Sequence, residues 1–189
     1  QEMFDYLMMK EGNYTIGELK VEAGFVDNVD EDWKTHTFSQ NFSTQPVVIA
    51  QVISYNGSDA VVTRLKNIDQ NQLKIKLQEE ENGGSHSNET IAYIAIEPGI
   101  GTLYGRRIEI GRTSNSVTDD WFTIPFDNEF QNAPNSFIGQ IQTTNGGDPV
   151  SLRYQDLNNA NVKVFCEEEQ SEDSETSHTE EVIGYFVIE

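Results

Sequence analysis

Apolar and polar residues alternate one by one along much of the chain. In residues 61–68 (VVTRLKNI), Val61, Thr63 and Leu65 alternate with Val62, Arg64 and Lys66. Leu73, Ile75 and Leu77 fall on one side of a second such stretch, and Val162, Val164 and Cys166 on one side of a third. A period of two is that of a half-buried strand in an antiparallel sheet. Residues 47–55 (VVIAQVISY) are rich in β-branched residues and run into Asn56-Gly57, a strong turn signal; Asn145-Gly146 ends a matching stretch. No segment sustains a helical period, and strands return every 8–12 residues or so, the spacing of a sandwich or barrel.

The pattern occurs twice. Tyr6 and Gly24 reappear as Tyr93 and Gly111, each 87 residues on. Trp33, Phe38, Phe42 and Pro46 reappear 88 residues on as Trp121, Phe126, Phe130 and Pro134, and Arg64 returns as Arg153. In each copy a strand runs into three glutamates, a polar loop carries one His, a Glu follows three residues later and a Tyr-bearing apolar strand closes the unit. Repeats of this kind take precedence over other readings. They predict an all-β protein of two tandem antiparallel β-sandwich domains, residues 12–99 and 100–189. Residues 1–11 are then the terminal strand of a preceding repeat or a closing strand, and the Pro/Gly-rich residues 98–105 a linker. The repeated aromatic rings are expected in the cores and the prolines at strand starts. In the alternative, Trp33 and Trp121 are exposed platforms on which a sugar stacks.

Charge narrows the function classes. The net charge is −20, from 12 Lys+Arg against 32 Asp+Glu, whereas binding nucleic acid or anionic lipid needs a basic face. No apolar stretch is long enough for membrane insertion. The opening Gln1-Glu2-Met3 is expected to be a cut from something longer. The lone cysteine, Cys166, excludes an internal disulfide framework and, opposite Leu77 of the first copy, is expected as a small buried hydrophobe.

Two stretches, VVIAQVISYNGSDAVVTRLKN and LQEEENGGSHSNETIAYIAIEPG, with IGQIQTTNGGDPVSLRYQD and SHTEEVIGYFVIE in the second copy, resemble the tandem H-type-lectin-like repeats of secreted bacterial proteins. The resemblance joins a strand, an Asn-Gly turn, an Arg-bearing strand, a Glu run and His-x-x-Glu in fixed order. It implies H-type lectin topology, a homo-oligomer (a trimer in the lectins proper) and sugars of the N-acetylgalactosamine type bound at subunit edges. Asp59, Arg64, Asp148 and Arg153 match the positions of its polar sugar ligands, with Trp33, Tyr55 and Trp121 as stacking partners.

The glutamates carry the remaining chemistry. Alternation turns Glu79 and Glu168 toward the core, where a carboxylate must be hydrogen-bonded, paired or metal-bound. One reading is a structural polar lock, made by Glu79, His86 and Glu89 in the first copy and Glu168, His178 and Glu181 in the second. The other is a calcium site using Glu79, Glu81 and Glu89, with Glu168 and Glu181 in the second copy, although the spacing is no standard calcium loop. No catalytic motif is present. The expectation is therefore a non-catalytic carbohydrate-binding pair, secreted or on the cell surface, with a glycan or polysaccharide as partner. The alternative is a structural or spacer repeat of an adhesin or extracellular assembly, stiffened by calcium and packed against neighbouring repeats.

Overall fold

The computed structural model describes residues 6–189 and is all-β, with no helix among them. The first half contributes β1 (Gly12–Ile16), β2 (Leu19–Val29), β3 (Lys34–Thr37), β4 (Val47–Val52), β5 (Val61–Lys66), β6 (Gln72–Glu79) and β7 (Glu89–Ile96). The second contributes β8 (Gly99–Leu103), β9 (Arg106–Arg112), β10 (Phe122–Pro125), β11 (Ser136–Ile141), β12 (Val150–Gln155), β13 (Asn161–Glu168) and β14 (Ile183–Ile188).

Each half builds one four-stranded and one three-stranded sheet, in the orders β1-β2-β7-β4 with β3-β6-β5, and β11-β14-β9-β8 with β10-β13-β12. Every pairing between these strands is antiparallel. The alternation read from the sequence sets the inner faces: Leu73, Ile75 and Leu77 of β6 meet Val48, Ala50, Ile91 and Tyr93 in one core. Val162, Val164 and Cys166 of β13 meet Phe137, Ile183 and Tyr185 in the other. Two sheets sharing an apolar layer form a sandwich. Cys166 lies in that second core, and burial pushes its thiol up to about 12.

A third apolar cluster joins the halves. The outer faces of the two four-stranded sheets meet through Ile16, Val21, Val47 and Ile96 on one side and Ile108, Ile110 and Phe186 on the other. This uses the second face of β7 and β14, which is why those strands carry apolar residues on both sides.

Three expectations are corrected. Residues 98–105 are not a linker: they contain β8, which pairs with β9, and Tyr104-Gly105 forms its turn with both residues at positive φ. Phe38, Phe42, Phe126 and Phe130 are buried, but Trp33 is only partly covered and Trp121 is half exposed. Of the expected strand in residues 1–11, residues 1–5 lie outside the described residues, and residues 6–10 are not in a strand. Leu7 and Met9 nevertheless pack against the cluster between the halves.

Candidate functional site

At one end of each sandwich sits a buried acid–histidine–acid row. Glu79 closes the inner face of β6, and the loop that follows returns His86 over it before Glu89 opens β7. His86 Nδ1 lies 3.0 Å from Glu79 and Nε2 lies 3.2 Å from Glu89. Glu89 also accepts the Ser54 hydroxyl and the backbone N–H groups of Asn56 (2.6 Å) and Gly57 (2.9 Å). These donors hold its carboxyl down at about 2, the Ser54 contact most of all, against the opposing effect of burial.

The second copy repeats the row. His178 Nδ1 contacts Glu168, and its Nε2 lies 3.3 Å from Glu181. Glu181 accepts the Thr143 hydroxyl, Asn145 N–H (2.8 Å) and Gly146 N–H (3.1 Å). Burial lowers the basicity of His178, but hydrogen bonds to Glu181 and Glu168 outweigh it and the net shift is upward. With a carboxylate against each nitrogen, the ring has an acceptor for two N–H groups, which is the cause of the upward direction.

The Asn-Gly turns are part of these rows. A Cβ on Gly57 would lie 2.4 Å from His86 Cε1, and one on Gly146 would lie 2.4 Å from His178 Cε1. Each histidine therefore packs directly on turn backbone, and only glycine leaves room for it. The two rings are almost fully enclosed, with side chains 2% and 1% exposed, so neither faces a substrate.

The rows differ in one respect. Arg64 of β5 leaves its own half and enters the second, where its guanidinium donates to Asp148 O (2.5 Å) and Gly146 O (3.1 Å) and lies 3.9 Å from Glu181. Gln78 donates to Gly147 O between them, at 2.7 Å. Burial pulls the Arg64 pKa down, with Glu181 and Glu168 opposing.

The seven expected sugar ligands are not gathered in one place. Arg64 is buried in the junction, Tyr55 and Asp59 are exposed on the first turn, and the Lys66 ammonium sits 3.8 Å over the Trp33 ring. Arg153 pairs with Glu167 at 2.5 Å. Beside it, Trp121 packs edge-on to Phe165, 4.5 Å between centroids, and Phe165 is the cross-strand partner of Arg153.

The expected calcium ligands also separate. Glu89 and Glu181 are saturated by N–H and O–H donors. Glu81 and Glu168 instead converge with Asp148, with carboxylate oxygens within 4.8 Å of one another. Glu168 Oε2 is buried without a hydrogen-bond partner, as is Glu79 Oε2. Burial and the like charges of Asp173, Asp148, Glu169 and Glu168 raise the Glu81 pKa. Three oxygens from hard carboxylates fit a cation such as calcium better than a nitrogen- or sulfur-seeking metal.

Sequence reading passed over a second pair of buried carboxylates. Glu22 accepts the Tyr93 hydroxyl (2.5 Å) and the N–H groups of Ser39 and Gln40, and Glu109 accepts the Tyr185 hydroxyl (3.0 Å) and Asp127 N–H. His36, absent from the second copy, bonds Tyr93 at 2.8 Å. The signal was available, since Glu22 and Glu109 share the 87-residue spacing of Gly24 and Gly111. Those glycines clear the way for the Tyr93 and Tyr185 rings, whose hydroxyls would lie 2.9 and 2.2 Å from an added Cβ.

No protein-family model matches the chain, and no solved structure matches it. H-type lectin topology therefore stands as the expectation drawn from the sequence. Over 187 residues the chain is 32% identical to halomucin of Haloquadratum walsbyi (strain DSM 16790 / HBSQ001). That alignment takes in 96% of this chain and 2% of halomucin, so the chain is similar to one short stretch of a far longer protein.

Proposed function

We propose that the chain is a non-catalytic structural repeat of a secreted or cell-surface protein, a stiff pair of sandwiches that spaces or assembles rather than converts a substrate. The observation that carries this reading is the match of nearly the whole chain to 2% of halomucin: both halves align as one piece of a much longer polypeptide. The enclosed histidines agree with it, since their carboxylate partners hold loops rather than face a cleft. A net charge of −20 keeps such a surface hydrated and soluble in strong salt. Small-angle scattering tests the stiffness. One compact particle of unchanged maximum dimension from low to molar salt is expected, and a distribution of two freely jointed bodies would refute it.

Glycan binding is the second reading, and one observation favours it. Trp121 is 47% exposed and stands with Phe165 and Arg153 on one outer face, an aromatic surface beside a cation. A glycan array probed with the whole chain and with Trp121→Ala decides it: binding lost in the variant supports a sugar site, and silence from both removes it.

A further inference from the structure

Among the described residues, the buried side-chain oxygens left without a hydrogen-bond partner are Gln78 Oε1, Glu79 Oε2 and Glu168 Oε2. All three residues line one cavity of about 450 Å³ where the halves meet, β6 supplying Gln78 and Glu79 and β13 supplying Glu168. The two glutamate side chains are each only 3% exposed. An oxygen taken out of water with nothing to bind it is costly, and a carboxylate oxygen most of all. Three of them on one wall suit a ligand that carries positive charge.

The two carboxylates are oriented from behind. Glu79 gives its other oxygen to His86 Nδ1 (3.0 Å), and Glu168 gives its other oxygen to His178 Nδ1. A histidine that holds one carboxylate oxygen aims the second, which is how outer groups position the ligands of a metal. Gly83 keeps Glu79 Oε2 uncovered, since an added Cβ would lie 2.7 Å from it.

Glu168 also belongs to the carboxylate cluster with Glu81 and Asp148, whose oxygens lie within 4.8 Å of one another. That span is contained in a ligand sphere of radius about 2.4 Å, the calcium–oxygen distance. Glu81 and Asp148 line a neighbouring cavity of about 390 Å³ that shares Gln78 and Glu79 with the first. No Lys or Arg among the described residues pairs with Glu81, Asp148 or Glu168, and Arg64 takes the backbone carbonyl of Asp148 rather than its carboxylate. The loop that carries Glu81 is nevertheless tied to the second half: Glu81 N–H donates to Glu169 (2.9 Å) and Asn82 N–H to Ser171 Oγ (3.2 Å). The backbone therefore gathers like charges that would otherwise move apart.

We propose that Glu81, Asp148 and Glu168 hold one divalent cation of the calcium class between the two halves, with Gln78 and Glu79 beside them and water completing its shell. Calcium accepts about six to eight oxygens in loose geometry, whereas magnesium demands a near-ideal octahedron and gives up its water reluctantly. Carboxylates arriving from three separate segments suit the first. The site occurs once per chain. Its repeat counterparts, each 89 residues away, are Gln170, Asp59 and Glu79, and the uncharged Gln170 removes one ligand. The proposal deepens the structural-repeat reading and rests on it for its purpose, a joint between units that a cation stiffens, but not for its chemistry.

Calorimetric titration with calcium tests it on the whole 189-residue chain, first stripped of divalent ions with a chelator. Molar potassium chloride screens diffuse binding to a chain of net charge −20. The wild type is expected to take up one calcium per chain, with magnesium the weaker competitor. Glu81→Gln and Asp148→Asn, one from each half and neither in a core, should each weaken binding at least about tenfold, the loss that an outer partner of a metal already brings. Glu80→Gln removes the same charge next door and should leave the affinity within about twofold, because that exposed charge is screened. Absence of saturable uptake, uptake of many ions, or equal losses in Glu80→Gln and Glu81→Gln each overturn the site, the last two assigning the ions to the acidic surface at large. Such a failure leaves the structural repeat standing, because scattering tests that reading in salt alone.

Discussion

The Arg64 guanidinium and the Glu181 carboxylate lie 3.9 Å apart, both enclosed, and they come from different halves of the chain. Arg64 arrives on β5 of one sandwich and Glu181 sits just before β14 of the other, so the contact couples the two cores alongside their shared apolar face and polar contacts such as Gln78 to Gly147 O. Its worth lies in the coupling as much as in the charge. The Arg64 hydrogen bonds go to the turn carbonyls of Asp148 and Gly146 in the other half.

Arg64→Met should therefore destabilise the chain by about 1.5–3 kcal/mol, because it removes the charged donor of two hydrogen bonds to turn carbonyls of the second unit. Arg153→Met, the same change at an exposed pair, should cost no more than about 1 kcal/mol. Urea denaturation of both variants in the same salt checks the contrast. Equal losses would mean that the junction does not depend on the arginine.

The glycines at the turns make a second prediction. Gly57→Ala and Gly146→Ala each place a methyl 2.4 Å from an enclosed imidazole, and neither glycine has a positive φ, so any loss is steric rather than conformational. Overpacking of this kind costs about 1–3 kcal/mol. Gly84→Ala, where an added Cβ meets nothing within 4 Å, is the control and should leave the melting temperature almost unchanged.

Much of this was legible in the sequence, and the limits have physical causes. Alternation along β6 and β13 placed Glu79 and Glu168 on inner faces because a strand has only two sides, and the repeat named their histidine partners. What alternation could not say is that Arg64 leaves its own sandwich while Arg153 stays on the surface. The same strand position serves both, and the packing of one unit on the next separates them. The stretch at 98–105 misled for a related reason: its proline and three glycines suit a linker, yet β8 is an edge strand with a tight turn, where both residue types are tolerated. Glu22 and Glu109 went unnoticed because a carboxylate facing a core looks like a surface residue until the tyrosine that binds it is known.

The acidic cluster predicts a cation effect that differs from the one the sequence suggested. Glu81, Asp148 and Glu168 join the first unit to the second, so a bound calcium would stabilise the junction rather than one hairpin. Calcium added at constant ionic strength should raise the melting temperature, by about 2.7 kcal/mol of stabilisation at 100 times the dissociation constant. Asp148→Asn should abolish the rise, while Glu80→Gln, an exposed neighbour outside the cluster, should not. A melt that calcium leaves unmoved in the wild type would remove the cation from the account.

The two rows finally fix how stability should vary with pH, and the signs oppose. Glu89 is held at about 2 in the folded chain and titrates near 4.5 when unfolded. Its stabilisation is thus complete above about 4.5 and is lost as pH falls toward 2, since the unfolded chain takes up the proton first. Glu181, also shifted down by its donors although burial opposes them, adds in the same direction. His178 is shifted up from 6.5, so its contribution is complete below that pH and disappears as pH rises through the higher folded value. The expected profile is a maximum between about 4.5 and 6.5, falling on both sides. Melting temperatures from pH 2 to 9 in molar salt test it, the salt suppressing the general repulsion of so acidic a chain. His178→Gln should flatten the alkaline fall while keeping most of the acid one, and an unchanged alkaline limb in that variant would show that the imidazolium is not its source.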